Sequence, residues 1–128
     1  MNLLLDPHAP LWFLEDDPKL TAAARAVVED AGKECWVSMV SGWEMAVKSC
    51  LGKLRLPIPF AQLFPSRLET LGFSILPITS RHLHMVETLP LHHRDPFDRL
   101  LAAQALAEGL TVIGDDAAFD AYGVTRFW

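Results

Sequence analysis

An α/β fold, with a largely parallel central sheet covered by helices on both faces, is what this sequence predicts. Two observations carry that reading. Short apolar runs of strand length alternate along the chain with stretches of helical periodicity, the order that right-handed βαβ crossovers produce. The first run, Leu3-Leu4-Leu5, is apolar at every position rather than at every second one, as in a parallel strand buried on both faces. A chain of 128 residues with no internal repeat, linker or low-complexity segment makes one domain, 1–128, large enough to fold without disulfides or a structural metal.

The elements follow in order. Residues 1–5 form a strand with Asp6 at its carboxyl end, and Pro7 opens a turn or helix running through Trp12 and Leu14. Residues 18–31 read as an alanine-rich helix with Leu20, Ala23, Ala24, Val27 and Val28 on one face and Gly32 ending it. Residues 35–39 are the second strand. Residues 41–51 are a helix stopped by Gly52, and Ser41-Gly42-Trp43-Glu44 fits a capping box at its start. Pro57 and Pro59 lead into a further helix over residues 60–71, followed by a strand at 73–76 and a short helix at 80–88. Asp95 before Pro96 reads as a helix N-cap with proline at the first helical position, and Gly109 ends that helix. A strand at 110–113, the turn Gly114-Asp115-Asp116 and a last strand at 124–128 complete the chain.

A net charge of −5 argues against a surface that coats nucleic acid, since non-specific affinity comes from Lys and Arg neutralising phosphates. A polyanion would have to meet a local basic patch. Cys35 and Cys50 do not make a disulfide framework. With no signal peptide and no apolar run of membrane-spanning length, the expectation is a reducing, cytoplasmic setting away from membranes.

In a parallel sheet all strand carboxyl ends lie on one edge, where ligands bind. Asp6, Glu44, Asp95, Asp98 and Asp116 all fall near strand-to-helix turns. Taken singly, each has a structural explanation: Asp6, Asp95 and Asp116 as caps, Glu44 as the third residue of the capping box, Asp98 as complement to a helix dipole. Jointly they converge on one edge, and crowded carboxylates resist joint ionisation unless a cation sits among them. An oxygen-only ligand set suits Mg²⁺ or Mn²⁺ rather than zinc. His92 and His93 read as a solvated loop, because no third His or Cys lies at ligand spacing. Trp12, Phe13, Trp36, Trp43, Phe97 and Trp128 are able to stack on bases, but they lie in apolar stripes where core packing is the default.

These residues resemble a PIN domain and, within that family, the VapC-type toxins of bacterial toxin–antitoxin pairs. The resemblance rests on Asp6-Pro7-His8-Ala9 after the opening strand, on residues 38–48 with Trp43-Glu44 and Lys48, on His92-His93-Arg94-Asp95-Pro96-Phe97-Asp98-Arg99-Leu100-Leu101-Ala102, and on Asp116 with Phe119. It implies a three-layer α/β/α fold and a catalytic quartet of Asp6, Glu44, Asp98 and Asp116. Asp6, Asp98 and Asp116 would hold Mg²⁺ or Mn²⁺, with Asp115 the alternative to Asp116 although the spacing to Phe119 favours Asp116, and Asp95 would cap its helix or support the metal's ligands. Lys48, Arg94 and Arg99 are the candidate phosphate contacts, against the simpler readings of Lys48 paired with Glu44 one turn away and of Arg99 as a solvated helix residue. The implied activity is Mg²⁺-dependent endonucleolytic hydrolysis of RNA by a toxin. The implied partners are a small antitoxin and a second copy of the chain, which would face the exposed apolar residues of the early helices. The chain departs from the family at two places, with Pro7 where a small hydroxyl residue is usual and Gly114-Asp115-Asp116 where Thr-Arg-Asp is frequent. They keep a second reading open, a PIN-like RNA- or protein-binding module with impaired catalysis. A response-regulator receiver also gathers Asp around Mg²⁺, but the paired acids in the first turn and the Lys after the last strand that it needs are absent.

Overall fold

The computed structural model describes residues 2–92 and 94–128; Met1 of the expected first strand and His93 lie outside the described residues. Five strands, β1 (Leu3–Leu5), β2 (Cys35–Ser38), β3 (Ser74–Leu76), β4 (Thr111–Ile113) and β5 (Arg126–Phe127), form one sheet in the order β3-β2-β1-β4-β5. Every pairing is parallel. β1 is the central strand, and Leu3, Leu4 and Leu5 are all fully buried. Its alternate side chains enter different cores. Leu3 and Leu5 pack with Leu11, Ala24, Met45 and Phe73 on one face, while Leu4 packs with Leu101, Val112 and Phe119 on the other. The result is the predicted three-layer α/β/α arrangement. β1 connects onward to β2 on one side while β4 joins it on the other, so the crevice between the carboxyl ends of β1 and β4 is the topological switch point.

Among the described residues seven helices, α1 (Ala9–Leu14), α2 (Ala22–Glu29), α3 (Met39–Cys50), α4 (Phe60–Gln62), α5 (Leu68–Thr70), α6 (Ser80–Thr88) and α7 (Pro96–Glu108), cover the sheet, with a π-helical turn at Leu63–Arg67 and a 3₁₀ segment at Ala117–Tyr122. α6 and α7 occupy the residues expected of them. Asp95 caps α7 by accepting from the amides of Phe97 and Asp98, and Gly109 closes it at φ 65°.

Three expectations are corrected. α2 starts at Ala22 rather than at residue 18, because Thr21 is its cap and accepts from the Ala24 amide, while Asp17 holds residues 17–20 in a turn. α3 starts at Met39, capped by Ser38, whose hydroxyl accepts from Val40 N. The capping box at Ser41 therefore does not form, and Glu44 lies in the helix interior. The helix expected over residues 60–71 is interrupted at Phe64 (φ −117°, ψ 124°), where the following Pro65 excludes the α conformation.

A buried polar chain fixes the helices that carry the acids. The Ser38 hydroxyl donates to Gln104 Oε1, and Gln104 Nε2 donates to the carbonyl of Pro77. His82 receives the Thr79 amide at Nδ1 and meets Glu108 through Nε2 at 3.0 Å. The start of α3, the start of α6 and the middle of α7 are thus tied together through groups that burial obliges to be paired. No described helix is long and apolar enough to cross a membrane.

Candidate active site

A cleft of about 530 Å³ opens at the switch point, lined by Asp6, Pro7, His8, Glu44, Lys48, Asp95, Asp98, Asp115, Asp116 and Phe119. The fold thus brings together all four acids of the predicted quartet, from the end of β1, the interior of α3, the first turn of α7 and the turn after β4. Asp95 joins them while serving as the α7 cap.

Asp6 is 3% exposed. Its Oδ1 accepts from the amides of His8 at 3.0 Å and Ala9 at 2.8 Å, so Pro7, which has no N–H, interrupts nothing. Burial dominates those two hydrogen bonds and pushes the carboxyl up to about 7, with the charges of Asp115 and Glu44 adding to the effect. The other oxygen, Oδ2, lies against Gly114, where a Cβ would stand 2.7 Å away. The lack of a Cβ at Gly114 is what admits this approach.

Glu44 is 4% exposed. Its Oε2 accepts from Lys48 Nζ at 2.8 Å, one turn later on α3. Its Oε1 is buried with no hydrogen-bond partner, which among the described residues it shares only with the Ser41 hydroxyl. The Lys48 ammonium is held above its ordinary pKa by this bond to Glu44, and further by the charges of Glu44, Asp95 and Asp98. Asp116 caps the 3₁₀ segment through the Ala118 amide at 2.9 Å, and the buried Phe119 anchors that segment in the core. Both Asp115 and Asp116 reach the cleft.

Of the three predicted cationic contacts, only Lys48 lines the cleft. Arg94 is exposed beside a separate apolar groove with Trp43, Leu83, Val86 and Leu91. Arg99 lies along the same groove, and its guanidinium caps the end of α6 by donating to the carbonyls of Pro90 at 2.9 Å and Val86 at 3.0 Å, with a further contact to the Tyr122 hydroxyl. Its Nη1 and Nη2 donors thus serve backbone carbonyls and the Tyr122 hydroxyl, a role that neither the solvated nor the phosphate-contact reading anticipates. His92 packs edge-on against Tyr122, away from the cleft.

His8 is a cleft residue that reading the sequence did not single out, although its position two residues after Asp6 was an available signal. Asp115, the alternative to Asp116 in the turn after β4, lines the cleft together with it. The His8 ring stacks on Trp12 at 5.3 Å between centroids. Among the described residues the large exposed hydrophobics are Met39, Trp43, Leu51, Ile78, Leu83, Leu91 and Leu106, so of the first three helices α3 exposes such residues and α1 and α2 do not. Phe97 instead packs edge-on beneath Trp43, 4.6 Å between centroids.

Residues 3–124 match the sequence model of the PIN domain. The chain belongs to the PIN domain family. Over 71 residues this PIN domain is 38% identical to ribonuclease VapC16 of Mycobacterium tuberculosis, a match covering 52% of the chain and 49% of that relative. It is 26% identical over 118 residues to ribonuclease VapC22 of the same organism, covering 90% of the chain and 87% of the relative. The aligned part thus spans about half the length of the first relative and most of the second. Among solved structures, VapBC2 from Rickettsia felis, crystallised with a DNA fragment from the promoter, superimposes with a TM-score of 0.71 at 14% identity over 99% of this chain and 98% of that one. FitAcB from Neisseria gonorrhoeae gives 0.71 at 21% identity over 98% and 96%. At these identities the structures establish the shared fold.

Within this PIN domain the donor set is oxygen-only. Among the described residues no three His, Cys, Asp or Glu side chains already stand in metal-ligand geometry around one point. The fit to a hard cation rests instead on chemistry: acidic oxygens converging on one cleft, a buried carboxyl driven toward its neutral form, and a buried carboxylate oxygen with nothing to bond.

Proposed function

We propose that this PIN domain is a VapC-type endoribonuclease, the toxin of a toxin–antitoxin pair, that hydrolyses RNA phosphodiester bonds with Mg²⁺ or Mn²⁺. The observation that carries the reading is Glu44 Oε1, a buried acceptor with no partner, in a cleft shared with Asp6, Asp98 and Asp116. An unmet buried acceptor costs about 1–3 kcal/mol. A cation, or a water oriented by one, is the partner that this carboxylate-rich cleft selects. The relatives named ribonuclease VapC support the same activity.

Asp6, Asp98 and Asp116 would hold the cation, with Asp95 fixing the first turn of α7 beneath Asp98. A bound Mg²⁺ or Mn²⁺ would neutralise phosphate charge and make water acidic enough to supply a nucleophile near neutral pH. Glu44 would orient the attacking water and take its proton through Oε1, because Lys48 occupies Oε2. The Lys48 ammonium also offers the phosphate a positive charge at the cleft. Arg94, on the exposed loop before α7, is free to meet the RNA strand farther out; Arg99 is given a structural role instead. The exposed apolar residues Trp43, Leu83 and Leu91 support docking of another protein, either the antitoxin or a second copy.

Incubating the purified chain with RNA in Mn²⁺ or Mg²⁺, with EDTA as control, tests the proposal. Cleavage that requires the metal and is lost in Asp98→Asn is the expected result. Binding of RNA without cleavage under any metal would favour the impaired-module reading, and cleavage undiminished by EDTA would remove the metal from the mechanism.

A further inference from the structure

We propose that Arg126 is a positioning residue of the cleft, clamping the turn that carries Asp115 and Asp116 and holding Gly114 against Asp6. The inference rests on the metal-site reading above and concerns a residue which that reading does not use.

β5 is a short edge strand, and Arg126, paired in register with Val112 of β4, sends its guanidinium past the carboxyl edge of the sheet. All three of its donor nitrogens are engaged. Nη1 donates to the carbonyl of Gly114 at 3.1 Å, while Nε and Nη2 donate to the two carboxylate oxygens of Asp120 at 2.9 and 3.0 Å. Asp115 and Asp116 lie between those two anchor points. One side chain therefore closes both ends of the segment, the near end through a main-chain carbonyl and the far end through the 3₁₀ turn that Asp116 caps. The near anchor reaches Asp6 as well. Gly114 donates its amide to the Phe127 carbonyl at 3.3 Å, and its Cα stands where a Cβ would come within 2.7 Å of Asp6 Oδ2. The planar guanidinium fork suits this double task, since an ammonium is a point charge that cannot grip a carboxylate with two parallel bonds while reaching a carbonyl on the other side. Asp120 first, then Asp116 and Asp115, also hold the guanidinium above its ordinary pKa, which places its charge near both cleft acids.

A clamp differs from an ordinary surface ion pair in what its loss changes. The Asp120 side chain is 53% exposed, so the ion pair itself contributes little to global stability. The geometry of the metal-binding turn is what it protects. Residues that orient metal ligands typically cost about 10-fold or more in metal affinity when replaced. Mn²⁺ affinity, read from loss of the free-ion signal in electron paramagnetic resonance, is therefore expected to fall about 10-fold in Arg126→Lys and in Asp120→Asn. The double variant should be no worse than the weaker single, because both break one device, and melting temperatures in EDTA should stay within a few degrees of the parent. Asp120→Asn releases only the far anchor and serves if Arg126→Lys fails to fold. Asp6→Asn is measured in parallel. Wild-type Mn²⁺ affinity in the folded Arg126 and Asp120 variants overturns the clamp; if Asp6→Asn weakens binding in that same experiment, the site reading survives without it. If Asp6→Asn also leaves Mn²⁺ affinity unchanged, the site reading itself has failed and the clamp goes with it.

Discussion

Replacing Asp6 with Asn separates the two tasks of its carboxyl group. Oδ1 accepts two backbone amides, and an Asn carbonyl does this as well, so the local turn into α1 should survive. What changes is the charge. Burial raises the Asp6 carboxyl from 3.8 to about 7 in the metal-free fold. Each pKa unit corresponds to 1.36 kcal/mol, so keeping Asp6 ionised in the empty cleft costs roughly 4 kcal/mol. The sign follows from which state binds the proton more tightly. Because the folded pKa is the higher one, the contribution of Asp6 is fully favourable below about pH 4, declines as pH rises, and is lost above about pH 7. In EDTA the parent protein should therefore lose stability across that window while Asp6→Asn does not. At pH 8 the variant should be more stable by as much as ~4 kcal/mol, less whatever its Asn amide N–H₂ costs against Gly114, where it meets no acceptor. For a domain of this size each kcal/mol moves the melting temperature by roughly 3–5 °C. Adding Mg²⁺ narrows the gap: at 100 times its dissociation constant the ion stabilises the parent by about 2.7 kcal/mol, and the variant by less. Thermal melts between pH 4 and 8, with EDTA and with Mg²⁺, measure all of this. A variant less stable than the parent at pH 8 in EDTA, or a difference that does not change with pH, would refute the buried-charge account of Asp6.

Three further substitutions read out other parts of the cleft. Lys48→Ala strands the second oxygen of Glu44 beside the one already unpaired; stability should fall by about 1–3 kcal/mol in urea denaturation, and the salt dependence of RNA binding should flatten by about one unit of slope. Unchanged stability and slope would show that Lys48 is a solvated surface residue. Arg99→Ala removes the donors that cap α6, so a loss of about 2–3 kcal/mol with the RNA salt slope intact is expected; a flattened slope with little loss of stability would return Arg99 to the substrate. Gly114→Ala pushes a methyl group into Asp6 Oδ2 and should sharply reduce the Mg²⁺-dependent rise in melting temperature while the protein stays folded, which parallel melts with and without the ion will decide.

Signals that are local in the chain were legible before any coordinates. The triple leucine of β1, the Asp95-Pro96 start and Gly109 end of α7, and the limits of α6 all follow from residues within a turn of each other. The start of α3 was not, because two serines compete for it. Ser41 has the Glu three residues later that a capping box requires, whereas Ser38 has none. Ser38 prevails through Gln104, 66 positions away, whose amide oxygen accepts its hydroxyl proton and fixes where β2 ends. Arg99 and Arg126 were opaque for a related reason. A guanidinium reaches several residues beyond its own backbone, and only the folded path of the chain determines whether phosphate or a carbonyl waits there.

The cleft acids were hard to assign from sequence because capping and metal binding look like rival explanations, whereas the geometry leaves the two compatible in one group. A carboxylate has two oxygens, and an N-cap needs only one. Asp95 and Asp116 each cap a helix through Oδ1, and Asp6 uses its Oδ1 on the amides of His8 and Ala9 in the turn into α1. The cap's hydrogen bonds hold the carboxylate rigid and partly offset the cost of burying it, which is what a metal ligand requires before the metal arrives. Glu44 is the exception that gives the arrangement its meaning. Lying in the interior of α3, it has no cap to make, and its second oxygen remains without a partner where burial should forbid that. A residue whose second oxygen has no structural partner, held beside three that use only one oxygen on the backbone, is intelligible as one member of a site assembled around a cation.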